Sequence, residues 1–208
     1  MTNNLPEFDE LKNIRTTLRE MLASGTPDTS DTQRGYVPRK RLEDTIFELI
    51  TMGYVYGITV AGLDLETDLP VDAERMREVA DTPTKGEDFR QRISNHIEAY
   101  ERGETDEEQL IERIAVVAET ETHRAINDGE LDAGYEYERT HPSETLFKRW
   151  RTMMDDRVRD THDFLEGATV PLDARFYTVD GDSALKPGGF MLPENNVNCR
   201  CDIELIKA

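Results

Sequence analysis

The spacing of apolar residues changes character once along the chain, at Pro142, and that change decides the fold class. Before it, apolar positions recur every three to four residues: Leu5, Phe8, Leu11, Ile14, Leu18 and Leu22, then Leu42, Ile46, Leu49 and Ile50, then Leu110, Ile111, Ile114, Val117 and Ala118. Such stripes bury one side of a helix. After it, Leu146, Phe147, Trp150, Met153 and Met154 can be read at either helix or strand spacing, with a strand leading into a turn favoured, and Ala174–Val179 and Arg200–Ile206 carry the aromatic and branched residues that favour strands. The expectation is an α+β chain: a mainly helical region over 1–140 and a small antiparallel-sheet module over 141–208, with a helix over 105–128 packed against that module.

Within the helical region, Ser24-Gly25-Thr26-Pro27 stops the first helix, a polar segment runs from Asp28 to Tyr36, and Pro38 suits the first turn of the second helix. The apolar run Leu49–Leu63 has 15 residues between Glu48 and Asp64, short of the roughly 20 needed to cross a bilayer, so it reads as a buried helix and no membrane is expected. Gly53, Gly57 and Ala61 put small side chains on one face of it, either for close packing in the domain's own core or for a docking partner. Asp72–Val79 reads as a short helix, Asp81-Thr82-Pro83-Thr84 as a break, and Glu87–Tyr100 as another helix. Thr105, with Glu108 three residues on, makes a capping box for the longest helix, and Asn127-Asp128-Gly129 supplies its stop. Asp160–Gly167 reads as a short helix closed by glycine.

Charge sets the environment. The chain holds 44 acidic and 25 basic residues, 19 of the latter Arg, for a net charge of -19. Self-repulsion of that size strains a compact fold in dilute buffer, whereas molar salt shortens the Debye length to about 3 Å. A salt-rich cytoplasm is the expected home. Residues 1–140 hold 32 acidic and 16 basic side chains and 141–208 hold 12 and 9, so any contact with DNA belongs to the C-terminal part. The opening MTNNLPEFDE lacks the basic start and apolar core of a secretory leader, and two cysteines make no disulfide framework, which together fit a reducing interior.

The C-terminal part also carries a constellation: Thr120-Glu121, Trp150, Asp155-Asp156-Arg157-Val158-Arg159, His162, Gly167, Pro187-Gly188 and Asn198-Cys199-Arg200-Cys201. In order and spacing, over about residues 116–206, this resembles the Mu F-like head morphogenesis proteins. The resemblance implies a minor capsid protein of a tailed virus, and the acidity adds a haloarchaeal one. By the same resemblance it lies inside the head near the portal, acts in head assembly or DNA packaging and delivery, and is not an enzyme. Its implied partners are the portal protein, the major capsid protein and packaged DNA.

The same residues have readings of their own. Trp150 anchors a small core beside Phe147, Phe164 and Phe176. Asp155, Asp156, Arg157 and Arg159 pair locally and cap the following helix, while Asn198 and Arg200 clip the last loop. His162, Cys199 and Cys201 are ligand types that zinc selects, with Asp155 or Asp156 as a fourth; the alternatives are buried free thiols or a redox pair. A rival function, a metal-dependent hydrolase or transferase, would use His162, Cys199 and Cys201, although no standard catalytic motif is present. Lys148, Arg149 and Arg151 lie in the one locally basic run and are the candidates for DNA contact. Residues 180–197, rich in Gly, Pro, Asp and Asn, are too long for a plain hairpin and read as a functional or docking arm.

Overall fold

The computed structural model describes residues 9–24, 37–82 and 87–208. The positions Leu5 and Phe8, the Gly25–Tyr36 segment and the Pro83-Thr84 break lie outside the described residues. The elements run α1 (Asp9–Lys12), α2 (Ile14–Ala23), α3 (Arg39–Leu65), α4 (Ala73–Asp81), α5 (Phe89–Glu101), α6 (Glu107–Thr140), β1 (Leu146–Arg151), α7 (Asp160–Asp163), β2 (Thr169–Pro171), β3 (Phe176–Tyr177), β4 (Ser183–Ala184), a 3-10 turn (Pro193–Asn195) and β5 (Asp202–Lys207). This is the α+β organisation the spacing predicts. Two compact units form, one from 1–49 and 81–119, the other from 50–80 and 120–208, and α3 and α6 each run through both.

The first unit is helical. Leu11, Ile14, Leu18 and Met21, the first half of α3 with Leu42 and Ile46, Phe89, Ile93 and Ile97 of α5, and Leu110, Ile111 and Ile114 of α6 make its core. Arginines fasten the rims: Arg15 reaches Glu112 and Glu119, Arg19 reaches Glu108, and Arg39 reaches Ser94 and Glu101. The cap of α6 falls one residue later than Thr105 and Glu108 suggest. The Asp106 carboxylate accepts the Gln109 N–H at 2.8 Å and the Gln109 amide oxygen accepts the Asp106 N–H at 3.1 Å, so the reciprocal box is built by Asp106 and Gln109.

In the second unit α6 does not stop at Gly129. A Cβ added there would lie 2.2 Å from the Tyr54 carbonyl oxygen, and one at Gly57 would lie 2.0 Å from that of Ile126. Gly129 and Gly57 therefore let the backbones of α3 and α6 touch, and helical geometry continues to Thr140. The small-residue face of α3 is thereby filled from within the chain. By length and composition α3 could cross a membrane, yet Tyr54, Ile58, Ala61 and Leu65 are buried in this protein's own core.

The sheet has the order β2-β1-β5, all antiparallel, with Trp150 opposite Ile203 and Lys148 opposite Leu205. Its third strand is Thr169–Pro171, whereas the expected strand over 174–179 shrinks to β3 and pairs separately with β4. Gly167 causes this: at φ +73° it reverses the chain so that Gly167 N–H donates to the Trp150 carbonyl and Trp150 N–H to that of Ala168, laying β2 directly on the edge of β1. The buried face carries Leu146, Trp150, Ile203 and Leu205. At Gly134 of α6 there is room only for Leu172 and Leu205 of the sheet layer, with a Cβ falling 2.9 and 3.3 Å from their methyls.

Candidate functional site

The residues of the constellation converge at the end of the sheet. Trp150, the last inward residue of β1, is wholly buried and meets Phe176 edge-on at 5.1 Å, Phe190 at 5.7 Å and the His162 imidazole at 5.5 Å. Of the aromatic partners expected from the sequence only Phe176 is there. Phe164 is 66% exposed and Phe147 lies on the outer face of β1, since inward positions alternate along a strand; Phe190, from the long loop, fills the space.

Asp155 pairs with Arg200 through two bonds of 2.6 and 2.8 Å and accepts the Arg157 N–H at 3.1 Å. The Arg200 guanidinium holds its carboxyl well below the usual carboxylate range. Arg159 occupies the N-cap of α7 with no side-chain bond to the helix, so the expected acidic cap is replaced by an Asx turn at Asp155 and by the Arg159 guanidinium donating to the Val197 carbonyl. Asp156 is exposed. Asn198, at φ +56°, donates its backbone N–H to the Thr120 hydroxyl at 3.2 Å, and Asn127 of α6 donates to the Cys201 carbonyl at 3.1 Å. Segment 198–201 is thus clamped from three sides.

Inside that clamp His162, Cys199 and Cys201 come together, all buried, with Nδ1 3.6 Å from Cys199 Sγ and 3.5 Å from Cys201 Sγ. The three donor atoms lie within 4.8 Å of one another, and both cysteines are free thiols. Asp155, engaged by Arg200, is not among them. A shallow pocket lined in part by Met153, Arg157 and Asn198 opens over the group. Chemically the arrangement offers one imidazole nitrogen and two sulfurs converging on a point.

Of the three cations singled out for DNA, Lys148 is turned inward. Its side chain is fully buried, its ammonium donates to the Leu172 carbonyl beside the Phe176 ring, and burial pushes its pKa down to about 8. Strand alternation, which puts 146, 148 and 150 on one face, makes Lys148 a core residue and leaves Arg149 and Arg151 outside, both held by Glu204 at 3.2 and 3.1 Å. The long loop is knit rather than loose. Asp182 accepts the N–H groups of Ser183, Met191 and Leu192, and Asn196 bonds Phe190 in both directions.

Spacing alone misses a buried ionic network on α6. Arg124 bonds Glu121 at 2.9 Å, Asp128 at 3.0 Å and the Val79 carbonyl at 2.9 Å, while the buried Lys186 reaches Asp128 at 3.1 Å. The Glu121, Arg124, Asp128 progression at helical spacing was the available signal, obscured because Asp128 also reads as part of a stop. Two carboxyls receive strand β5: Asp64 accepts the Leu205 N–H at 3.1 Å, and Glu130 that of Ile203 at 3.5 Å. Burial pushes Asp64 up to about 6 and raises Glu130 well above its ordinary value.

The family model "Phage Mu protein F like protein" matches residues 77–204. A minor head protein, GP7 of Bacillus phage SPP1, is 27% identical over 89 residues, covering 43% of this chain and 28% of that protein. The NAD(+)–arginine ADP-ribosyltransferase EFV of Enterococcus faecalis is 41% identical over 54 residues, 26% of this chain and 11% of the transferase. The chain therefore spans less than a third of the length of the curated relatives it matches. No solved structure matches.

Proposed function

The chain belongs to the Phage Mu protein F like family, and from that premise we propose that it is a minor head protein of a tailed virus, sited inside the capsid near the portal and acting in head assembly or in DNA packaging and delivery. One observation carries the reading beyond membership. The constellation residues are spent on one another, Asp155 on Arg200, Asn198 on Thr120 and Trp150 on three rings, which is how a rigid module is built. The match to a phage minor head protein supports the same role. Portal and major capsid proteins are the proposed partners, and docking falls to residues 1–140. Contact with packaged DNA falls to Arg149 and Arg151, which Glu204 already half-neutralises, so that contact is weak.

A transferase or hydrolase built on His162, Cys199 and Cys201 is disfavoured by the burial of all three, which leaves little room for a substrate. The net charge of -19 supports a haloarchaeal virus as the source. Deleting the gene and counting DNA-filled heads tests the role: the proposal expects empty or misassembled heads restored by complementation, and a normal yield of infectious particles contradicts it. Folding followed by circular dichroism as KCl is diluted tests the source. Loss of structure below the molar range is expected, and full stability in dilute buffer counts against a halophile.

A further inference from the structure

We propose that His162 Nδ1, Cys199 Sγ and Cys201 Sγ bind one zinc ion, with a water molecule as the fourth ligand, and that this ion staples the C-terminal strand to the α7 turn. The geometry leads. With Zn–S near 2.3 Å and Zn–N near 2.05 Å, a tetrahedral centre separates a sulfur ligand from a nitrogen ligand by about 3.6 Å. The two sulfur–nitrogen separations here are 3.6 and 3.5 Å. Nδ1 has one lone pair and can accept from only one of the two thiols that face it. A metal ion placed along that lone pair and between the two sulfurs takes up all three donors at once.

The surroundings agree with this assignment. His162 is 1% exposed and packed against the Trp150 and Phe190 rings, which fix the plane of its imidazole; with Nδ1 on the metal, Nε2 carries the proton. The ligand-bearing backbone is fixed in advance by Asn127 on the Cys201 carbonyl, by Thr120 on the Asn198 N–H and by Asp155 on Arg200. Two cysteines bound as thiolates release two protons to solvent and balance the ion's charge, so the buried site carries no net charge. Water reaches the fourth position through the shallow pocket beside Met153 and Asn198. The staple joins residue 162 to residues 199–201 just before β5, which fixes that strand in register on β1 over the buried Trp150. It stands independently of the head-protein role.

The test uses the whole chain in its native salt, reduced and equilibrated with excess zinc before gel filtration. Metal analysis should find about one zinc per chain, and titrating the native thiols with an organomercurial in the presence of a zinc indicator should release that ion as both cysteines react. Cobalt substituted for zinc should show thiolate-to-cobalt charge transfer. Cys199→Ser and Cys201→Ser should each lower bound zinc at least about tenfold, whereas Asp156→Asn, at an exposed residue outside the three-donor group, should retain it. The titration and the cobalt spectrum need only the native protein, so a serine variant that fails to fold leaves the test intact. Bound zinc below half an equivalent after equilibration, no charge-transfer band, or a Cys199–Cys201 disulfide in the native protein each overturns the assignment.

Discussion

Alanine at Gly129 tests the close approach of α3 and α6 by the sign of its effect. In a helix interior alanine is favoured over glycine by about 1 kcal/mol, so if Gly129 sat in α6 with no backbone against it, the substitution would stabilise the protein. In the structure the new Cβ lies 2.2 Å from the Tyr54 carbonyl oxygen and 3.1 Å from the Ile58 nitrogen. Both are backbone atoms and cannot rotate aside. Restoring an ordinary contact requires α3 and α6 to part by roughly 1 Å, which loosens Tyr54, Ile58 and Ile126 together, and overpacking of this kind costs about 1–3 kcal/mol. A net loss near 2 kcal/mol corresponds to a fall in Tm of about 4–8 °C for a chain of this size. Gly57→Ala, at 2.0 Å from the Ile126 carbonyl, should do the same, whereas Gly53→Ala should cost less, because the backbone atom it meets, the Thr122 carbonyl oxygen, is 3.0 Å away. Thermal melts in concentrated KCl measure all three. A Gly129→Ala protein as stable as the parent would refute the close-crossing account.

Three further outcomes follow from named contacts. Asp106→Ala should cost about 1 kcal/mol by removing the acceptor for the Gln109 N–H, while Glu108→Ala should cost less than about 0.5 kcal/mol; equal losses in denaturant titrations would restore the earlier cap. Asp64, raised to about 6 from an unfolded value near 3.9, favours the folded state most below pH 4 and loses that contribution as pH rises to 6, so Asp64→Asn should flatten stability in that window and be the more stable protein at pH 7. An unchanged pH profile would contradict the burial account. Lys148, lowered to about 8, has the opposite slope: the unfolded chain holds the proton between about pH 8 and 10.4 and the folded one does not, so stability from this group rises across that range, and Lys148→Met should abolish the rise.

How far the sequence carries this result depends on whether a residue's signal is local. Helical stripes such as Leu110, Ile111 and Ile114 follow from periodicity because one face of the helix is buried, whereas the spacing at 146–154 fits helix and strand alike and only pairing with β2 and β5 decides for the strand at 146–151. Gly129 misleads because glycine serves both to end a helix and to admit a second backbone, and only Tyr54, 75 positions away in sequence, decides between them. Lys148 misleads in the same manner: its charge suggests solvent, yet strand alternation between Leu146 and Trp150 forces it inward. Phe190 and Asn127 enter the site from a loop and from a presumed helix end, and no spacing rule connects them to Cys201 or Trp150. The convergence of His162 with both cysteines was legible as a set of ligand types. Its geometry was not, since it depends on where α7 and the start of β5 meet.

Mass spectrometry of purified, DNA-filled virions tests the central claim most directly. A minor head protein should be detected there at low copy relative to the major capsid protein and should stay with the heads when tails are removed. Abundant protein in infected cells together with its absence from particles would contradict the assignment.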